Sequence, residues 1–167
     1  MSNSEAKTSA TTLGKRLLEA GYTITTAESC TGGGISAAIT AIAGSSTWFH
    51  QAFVTYSNGA KTQMLGVDKK VLDSHGAVSE EVVCAMLKGA LARASADLGV
   101  AVSGIAGPGG EVEGKPVGTV WFAWGGLTRL KSKRFHFSGD RDQVRDQAVL
   151  TALSLACDWM LELDSAS

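Results

Sequence analysis

Three consecutive glycines, Gly32–Gly34, sit between a short β-type run and a helix-like segment that carries no charge. This junction constrains the chain more than any other part of it. Thr23 to Thr26 has the threonine and isoleucine content of a strand and ends in the small polar turn Glu28-Ser29-Cys30-Thr31. Ile35 to Ala43 is rich in alanine and isoleucine, so a helix there is buried on most of its surface. A strand, a glycine turn and a buried helix require a layered α/β arrangement. The turn also points backbone N–H groups at an anion or a developing oxyanion. It is not a Walker A loop, because no Gly-Lys-Ser/Thr follows, and it is not a full GxGxxG.

The rest of the chain extends this pattern. Apolar residues at Leu13, Leu17 and Leu18 predict a helix over Thr12–Ala20, and residues 1–11 are expected to be mobile. Phe49–Tyr56 reads as a second strand. Asn58–Leu65 and Asp68–Ser74 read as short helices with Asn58 and Asp68 as caps. Ser79-Glu80-Glu81 opens a helix expected to reach about Leu98. Val100–Val102 then leads into a second glycine-rich turn, Ser103-Gly104-Ile105-Ala106-Gly107-Pro108-Gly109-Gly110. Gly118–Trp124 and Leu127–Phe137 form a hairpin, and Arg141–Leu163 a closing helix capped by Asp140. The expected fold is one α/β domain over 12–164 with a mixed, mostly parallel sheet that has one antiparallel strand. Both glycine turns follow strands, where such sheets bind ligands.

Composition excludes several classes. With 167 residues, 44% of them hydrophobic and 19% charged, the chain can bury a proper core. A net charge of −1 gives no electrostatic footprint of a nucleic-acid binder. The basic cluster Arg129–Arg134 reads as the solvated face of a strand. Cys30, Cys84 and Cys157 are far apart, odd in number and without CxxC spacing, so neither a disulfide framework nor a zinc site is expected, and a reducing cytoplasm is. His50, His75 and His136 have no second ligand at metal spacing. No run suits a membrane span, and the N terminus lacks the apolar core of a signal peptide.

Candidate chemistry lies in three places. Ser46, Tyr56 and Lys61 supply a hydroxyl, a phenol and an amine, and a strand and a turn are expected to bring them together. Serine needs a base, and a desolvated lysine can be one. Spacing alone leaves the plainer alternative open, with Ser46 in a turn, Tyr56 half-buried and Lys61 solvated. Ser29 is a second candidate nucleophile at a strand end, read first as a cap or ligand contact because GxSxG is absent. Cys30 is either a thiolate at a helix N terminus or a buried, inert thiol. Arg141 and Arg145, four apart on one helix, either meet a phosphate or pair with nearby aspartates.

The motifs TTAESCTGG, AGSS-x-WF, FVTYSN-xx-K-xx-MLGV, GAVSEEV, SGIAGPGG, KPVGTV and GDR-xx-VR-xx-A, in this order from about Leu13 to Leu163, closely resemble the CinA C-terminal domain family. The resemblance implies a three-layer α/β/α sandwich with a five-stranded mixed sheet, often in homodimers or higher oligomers. Its stand-alone bacterial members imply hydrolysis of the carboxamide of nicotinamide mononucleotide to nicotinic acid mononucleotide and ammonia, in pyridine nucleotide recycling. No metal or organic cofactor is implied, and the partner is a small pyridine mononucleotide. By motif, Ser46 is the implied nucleophile, with Tyr56 and Lys61 as base and relay. Ser29, Thr31, Gly32, Gly33, Asn58, Ser103, Gly104, Gly107 and Arg145 (or Arg141 in its place) are the implied substrate contacts. Ser103 stands where family members often carry threonine. The alternative reading is a nucleotide-binding regulatory module without turnover.

Overall fold

The computed structural model describes residues 2–166. Its elements in order are α1 (Ser2–Ala20), β1 (Ile24–Glu28), α2 (Gly34–Thr40), a 3₁₀ turn (Ser45–Thr47), β2 (Phe49–Val54), α3 (Asn58–Leu65), α4 (Lys69–His75), α5 (Glu80–Ala94), β3 (Leu98–Gly104), β4 (Thr119–Gly125), β5 (Leu130–His136) and α6 (Arg141–Ala166).

The five strands form one sheet in the order β2-β1-β3-β4-β5. β1 pairs in parallel with both β2 and β3, while β4 runs antiparallel to β3 and β5. The one reversed strand is therefore β4, as the hairpin requires. Side chains alternate across the sheet. Ile24, Val100, Val102, Val120 and Phe122 face α1, α2 and α6. Ala27, Phe53, Ala101 and Ala123 face the other way, where α5 packs on the sheet and α3 and α4 pack on α5. The result is the expected three-layer sandwich. The basic residues Lys131, Lys133 and Arg134 lie on β5, one of the two edge strands, where charge discourages edge pairing. Lys131 also reaches Glu162 at 2.8 Å across the surface.

Several boundaries differ from the sequence reading, α2 ending at Thr40 rather than Ala43 among them, and three differences have a physical cause in the residues. Helix α1 begins ten residues before Thr12, and residues 2–11, expected to be mobile, are helical: Ala6 and Ala10 continue the buried stripe of Leu13 and Leu17. Helix α5 ends at Ala94, because Ser95 turns into the left-handed region at φ 50° and Leu98 already belongs to β3. Ser57, not Asn58, caps α3, its side chain accepting from Ala60 N at 3.1 Å.

The placement of α3 depends on a glycine. A Cβ on Gly89, in the middle of α5, would lie 2.0 Å from the carbonyl oxygen of Leu65, at the end of α3. Backbone cannot yield as a flexible side chain does. Gly89→Ala is therefore expected to displace α3 at a cost of about 3 kcal/mol. A thermal melt should show this as a fall of roughly 6–12 °C.

Candidate active site

The chain leaves β1 toward β2 on one side, and β3 lies on the other side of β1 and leads away to β4. Loops leaving adjacent strand ends in opposite directions open a crevice between them. Ser29 follows directly on β1, and Ser103 and Gly104 end β3.

Lys61 reaches this crevice from the first turn of α3. It is 1% exposed. Its Nζ lies 3.1 Å from Ser29 Oγ, 3.0 Å from the carbonyl oxygen of Thr55 and 3.2 Å from that of Tyr56. No carboxylate lies within ion-pairing distance of it among the described residues. Burial without a counter-charge disfavours the ammonium, so the Lys61 pKa is lowered from the ordinary 10.5. As an ammonium Lys61 donates to all three oxygens, and in the neutral amine the contacts divide by role. Carbonyls only accept, so two N–H bonds go to Thr55 and Tyr56, and the lone pair is left facing the Ser29 hydroxyl. This is the geometry of a serine and its base.

The turn after Ser29 is held from three sides. Ser29 N donates to Val102 O at 3.1 Å across the sheet. Glu28 is fully buried, and its carboxylate accepts from Thr31 Oγ1 at 2.6 Å and from the backbone N–H groups of Ile35 and Ser36, both at 2.9 Å. Arg145, from α6, donates to the carbonyl oxygens of Cys30 (3.1 Å) and Thr31 (3.2 Å). Gly32 and Gly33 make the turn in the left-handed region, at φ 58° and 100°. Cys30 is buried beside Ser29, and burial pushes its thiol up to about 12. It is the inert thiol of the two alternatives, not a thiolate.

Ser29, Lys61, Tyr56, Asn58, Ser103 and the 104–110 turn line a cavity of about 420 Å³, closed on its remaining sides by Cys30, Ala77, Val78 and Arg141. Among the described residues, no aspartate or glutamate lines it. Arg141, at the start of α6, spans two of its rims, donating to Gly107 O at 2.8 Å and to the Tyr56 hydroxyl at 3.2 Å. The cavity thus has an amine and a hydroxyl in its depth, and at its mouth a guanidinium beside a helix N terminus. A guanidinium and a helix N terminus attract negative charge, and a hydroxyl beside an amine is the chemistry of an activated nucleophile.

Residues 6–160 match the model of the CinA C-terminal domain. This chain belongs to the CinA C-terminal domain family. Relatives in the family include proteins named nicotinamide-nucleotide amidohydrolase. One from Pseudomonas putida is 53% identical over 93% of this chain and 95% of its own length. One from Escherichia coli K12 is 55% identical over 97% and 99%. A putative competence-damage inducible protein from Symbiobacterium thermophilum is 46% identical, but the match covers 39% of its length. A crystal structure of a CinA superfamily protein from Klebsiella pneumoniae superposes with a TM-score of 0.91 at 39% identity, covering 94% of this chain and 98% of that one.

Within this CinA C-terminal domain the expected site residues divide into three groups. Ser29, Tyr56, Asn58, Lys61, Ser103, Gly104 and Gly107 meet at the cavity. Thr31, Gly32, Gly33 and Arg145 do not line it; they shape the turn that carries Ser29, and the rim arginine is Arg141. Ser46 is brought to neither place. It is an exposed residue of the 3₁₀ turn before β2, whereas Lys61 follows the end of β2. Six extended residues separate those ends by about 20 Å. The Tyr56 phenol contacts Arg141, and only the Tyr56 carbonyl reaches Lys61. Glu28 was missed as an organiser of the turn. Its signal is an acidic residue at the end of a run otherwise composed to be buried, four positions before the first of the glycines.

Proposed function

We propose that this chain hydrolyses the carboxamide of nicotinamide mononucleotide, giving nicotinic acid mononucleotide and ammonia, with Ser29 as nucleophile and Lys61 as its base. The observation that carries the assignment is the buried contact of 3.1 Å between Lys61 Nζ and Ser29 Oγ. The printed names of the P. putida and E. coli relatives support the substrate. Neutral Lys61 takes the Ser29 proton as Oγ attacks the carboxamide carbon. Backbone N–H groups of the 104–110 turn, which lines the cavity, hold the oxyanion, each donor typically worth about 3 kcal/mol. Lys61 returns the proton to the amide nitrogen, the C–N bond breaks and ammonia leaves. Water, deprotonated by Lys61, then attacks the acyl-enzyme; Ser29 regains its proton and the acid departs. The Tyr56 ring and the 104–110 turn wall the pyridine and ribose, and Arg141 takes the phosphate, giving up its bond to the Tyr56 hydroxyl. In this reading the protein is cytoplasmic, works in pyridine nucleotide recycling and is a homodimer or higher homo-oligomer.

An ammonia-coupled assay tests the reading. The mononucleotide should be turned over, with free nicotinamide a far poorer substrate. Absence of ammonia from the mononucleotide, with binding retained, would leave a regulatory nucleotide-binding module instead. Arg141→Ala is expected to remove a charge-assisted contact of about 1.5–3 kcal/mol. That corresponds to a KM raised roughly 10- to 100-fold with kcat nearly kept. The dephosphorylated nucleoside, which lacks the phosphate, should not distinguish the variant from the parent.

A further inference from the structure

The turn that carries Ser29 is tied to α2 by a carboxylate whose place cannot be taken by an amide. Glu28 is 0% exposed. Its Oε1 accepts from Ile35 N and Thr31 Oγ1, and its Oε2 accepts from Ser36 N and Ser36 Oγ. Every one of these partners donates. Each oxygen faces a backbone N–H, which cannot reverse its role as a hydroxyl can. A glutamine of the same shape would have to aim its NH₂ at one of the two N–H groups, whichever way it turned.

The same contacts fix the nucleophile. Thr31 is two residues beyond Ser29 and 1% exposed, and its hydroxyl points at Glu28, away from the cavity. Arg145 holds the Cys30 and Thr31 carbonyls from the other side. The turn is therefore clamped between α2 and α6, and Ser29 Oγ is left directed at Lys61.

We propose that Glu28 and Thr31 are a positioning pair, which holds the Ser29 turn so that its hydroxyl meets Lys61, and that Thr31 does not contact substrate. The proposal rests on the reading of Ser29 as nucleophile. Misplacing a reacting atom by about 1 Å costs on the order of 10²-fold in rate. Glu28→Gln is expected to lower kcat about a hundredfold, and Thr31→Val, which keeps the shape and removes only the hydroxyl, roughly tenfold. In both, KM should stay within a few-fold of the parent, because the cavity walls and Arg141 are untouched.

The experiment measures kcat and KM for ammonia release in both variants, with near-UV circular dichroism and a thermal melt to establish the folded fraction. A fall in kcat at nearly constant KM in folded protein supports the pair. Parental kcat in folded variants would overturn it, as would a loss of kcat no larger than the loss of folded protein, or a raised KM with kcat kept. If Glu28→Gln does not fold, Thr31→Val decides alone, since it leaves both backbone N–H bonds to the carboxylate in place. Ser29→Ala, assayed alongside, separates the two levels. An inactive Ser29→Ala with fully active Glu28→Gln and Thr31→Val removes only the positioning pair, whereas an active Ser29→Ala removes the nucleophile assignment beneath it.

Discussion

Ser29→Ala is expected to lose roughly 10⁴- to 10⁶-fold in kcat for ammonia release, the range seen when a nucleophilic serine is removed from a site that acts as a unit. Ser46→Ala is expected to match the parent within about twofold, since an exposed substitution away from such machinery changes little. The two variants form one experiment because both serines satisfy the chemistry on paper, and only geometry separates them. Ser29 Oγ is buried at 3.1 Å from the Lys61 amine. Ser46 lies beyond the opposite end of β2. KM should be nearly unchanged in Ser29→Ala, because the cavity loses one hydroxyl and keeps Arg141 and the 104–110 turn. The assignment is overturned if ammonia release survives in Ser29→Ala and disappears in Ser46→Ala.

The contrast between the serines also marks the limit of what the sequence reveals. The layers were legible because their signals are local: a 3.6-residue stripe in α5, a hairpin around Gly125-Gly126, glycine turns after β1 and β3. That Ser29, just after β1, and the turn after β3 meet at one cavity followed from the rule for parallel strands. Ser46 with Lys61 did not follow, although the chain itself speaks against it. A six-residue strand lies between them, and a strand holds its own ends apart. Ser29 and Lys61 are 32 positions apart and meet only because β1 and β2 are parallel neighbours, so that both strands deliver their following loops to the same edge. The N-terminal part of α1 was lost for a different reason. Among its polar residues only Ala6 and Ala10 carry the buried stripe, and two alanines give too little contrast to count as a period. The roles of Arg141 and Arg145 were ambiguous because residues four apart share a helix face. Which of them meets the cavity depends on how α6 approaches the sheet.

Lys61→Met should remove general-base catalysis, a loss of about 10²- to 10⁴-fold in kcat/KM. The pH dependence says more than the magnitude. In the parent, kcat/KM should climb with pH as Lys61 gives up its proton, and should level off at a pH below the ordinary lysine value of 10.5, because burial lowers this pKa. In Lys61→Met that ascending limb should be missing from the residual rate. Stability carries the same signature with a definite sign. Between the lowered pKa of the folded state and 10.5, the unfolded chain holds a proton on Lys61 that the folded chain does not. Unfolding then takes up a proton, so the stability of the parent rises with pH across that window and reaches its full value once the unfolded lysine is also neutral. Below the window both states are protonated, and the folded state bears the full cost of a buried ammonium. Denaturant melts at a series of pH values should show this slope in the parent and lack it in Lys61→Met. A parent without an ascending limb, together with equal slopes in the two proteins, would mean that Lys61 stays charged in the cavity. Ser29 would then have no base among the residues that touch it.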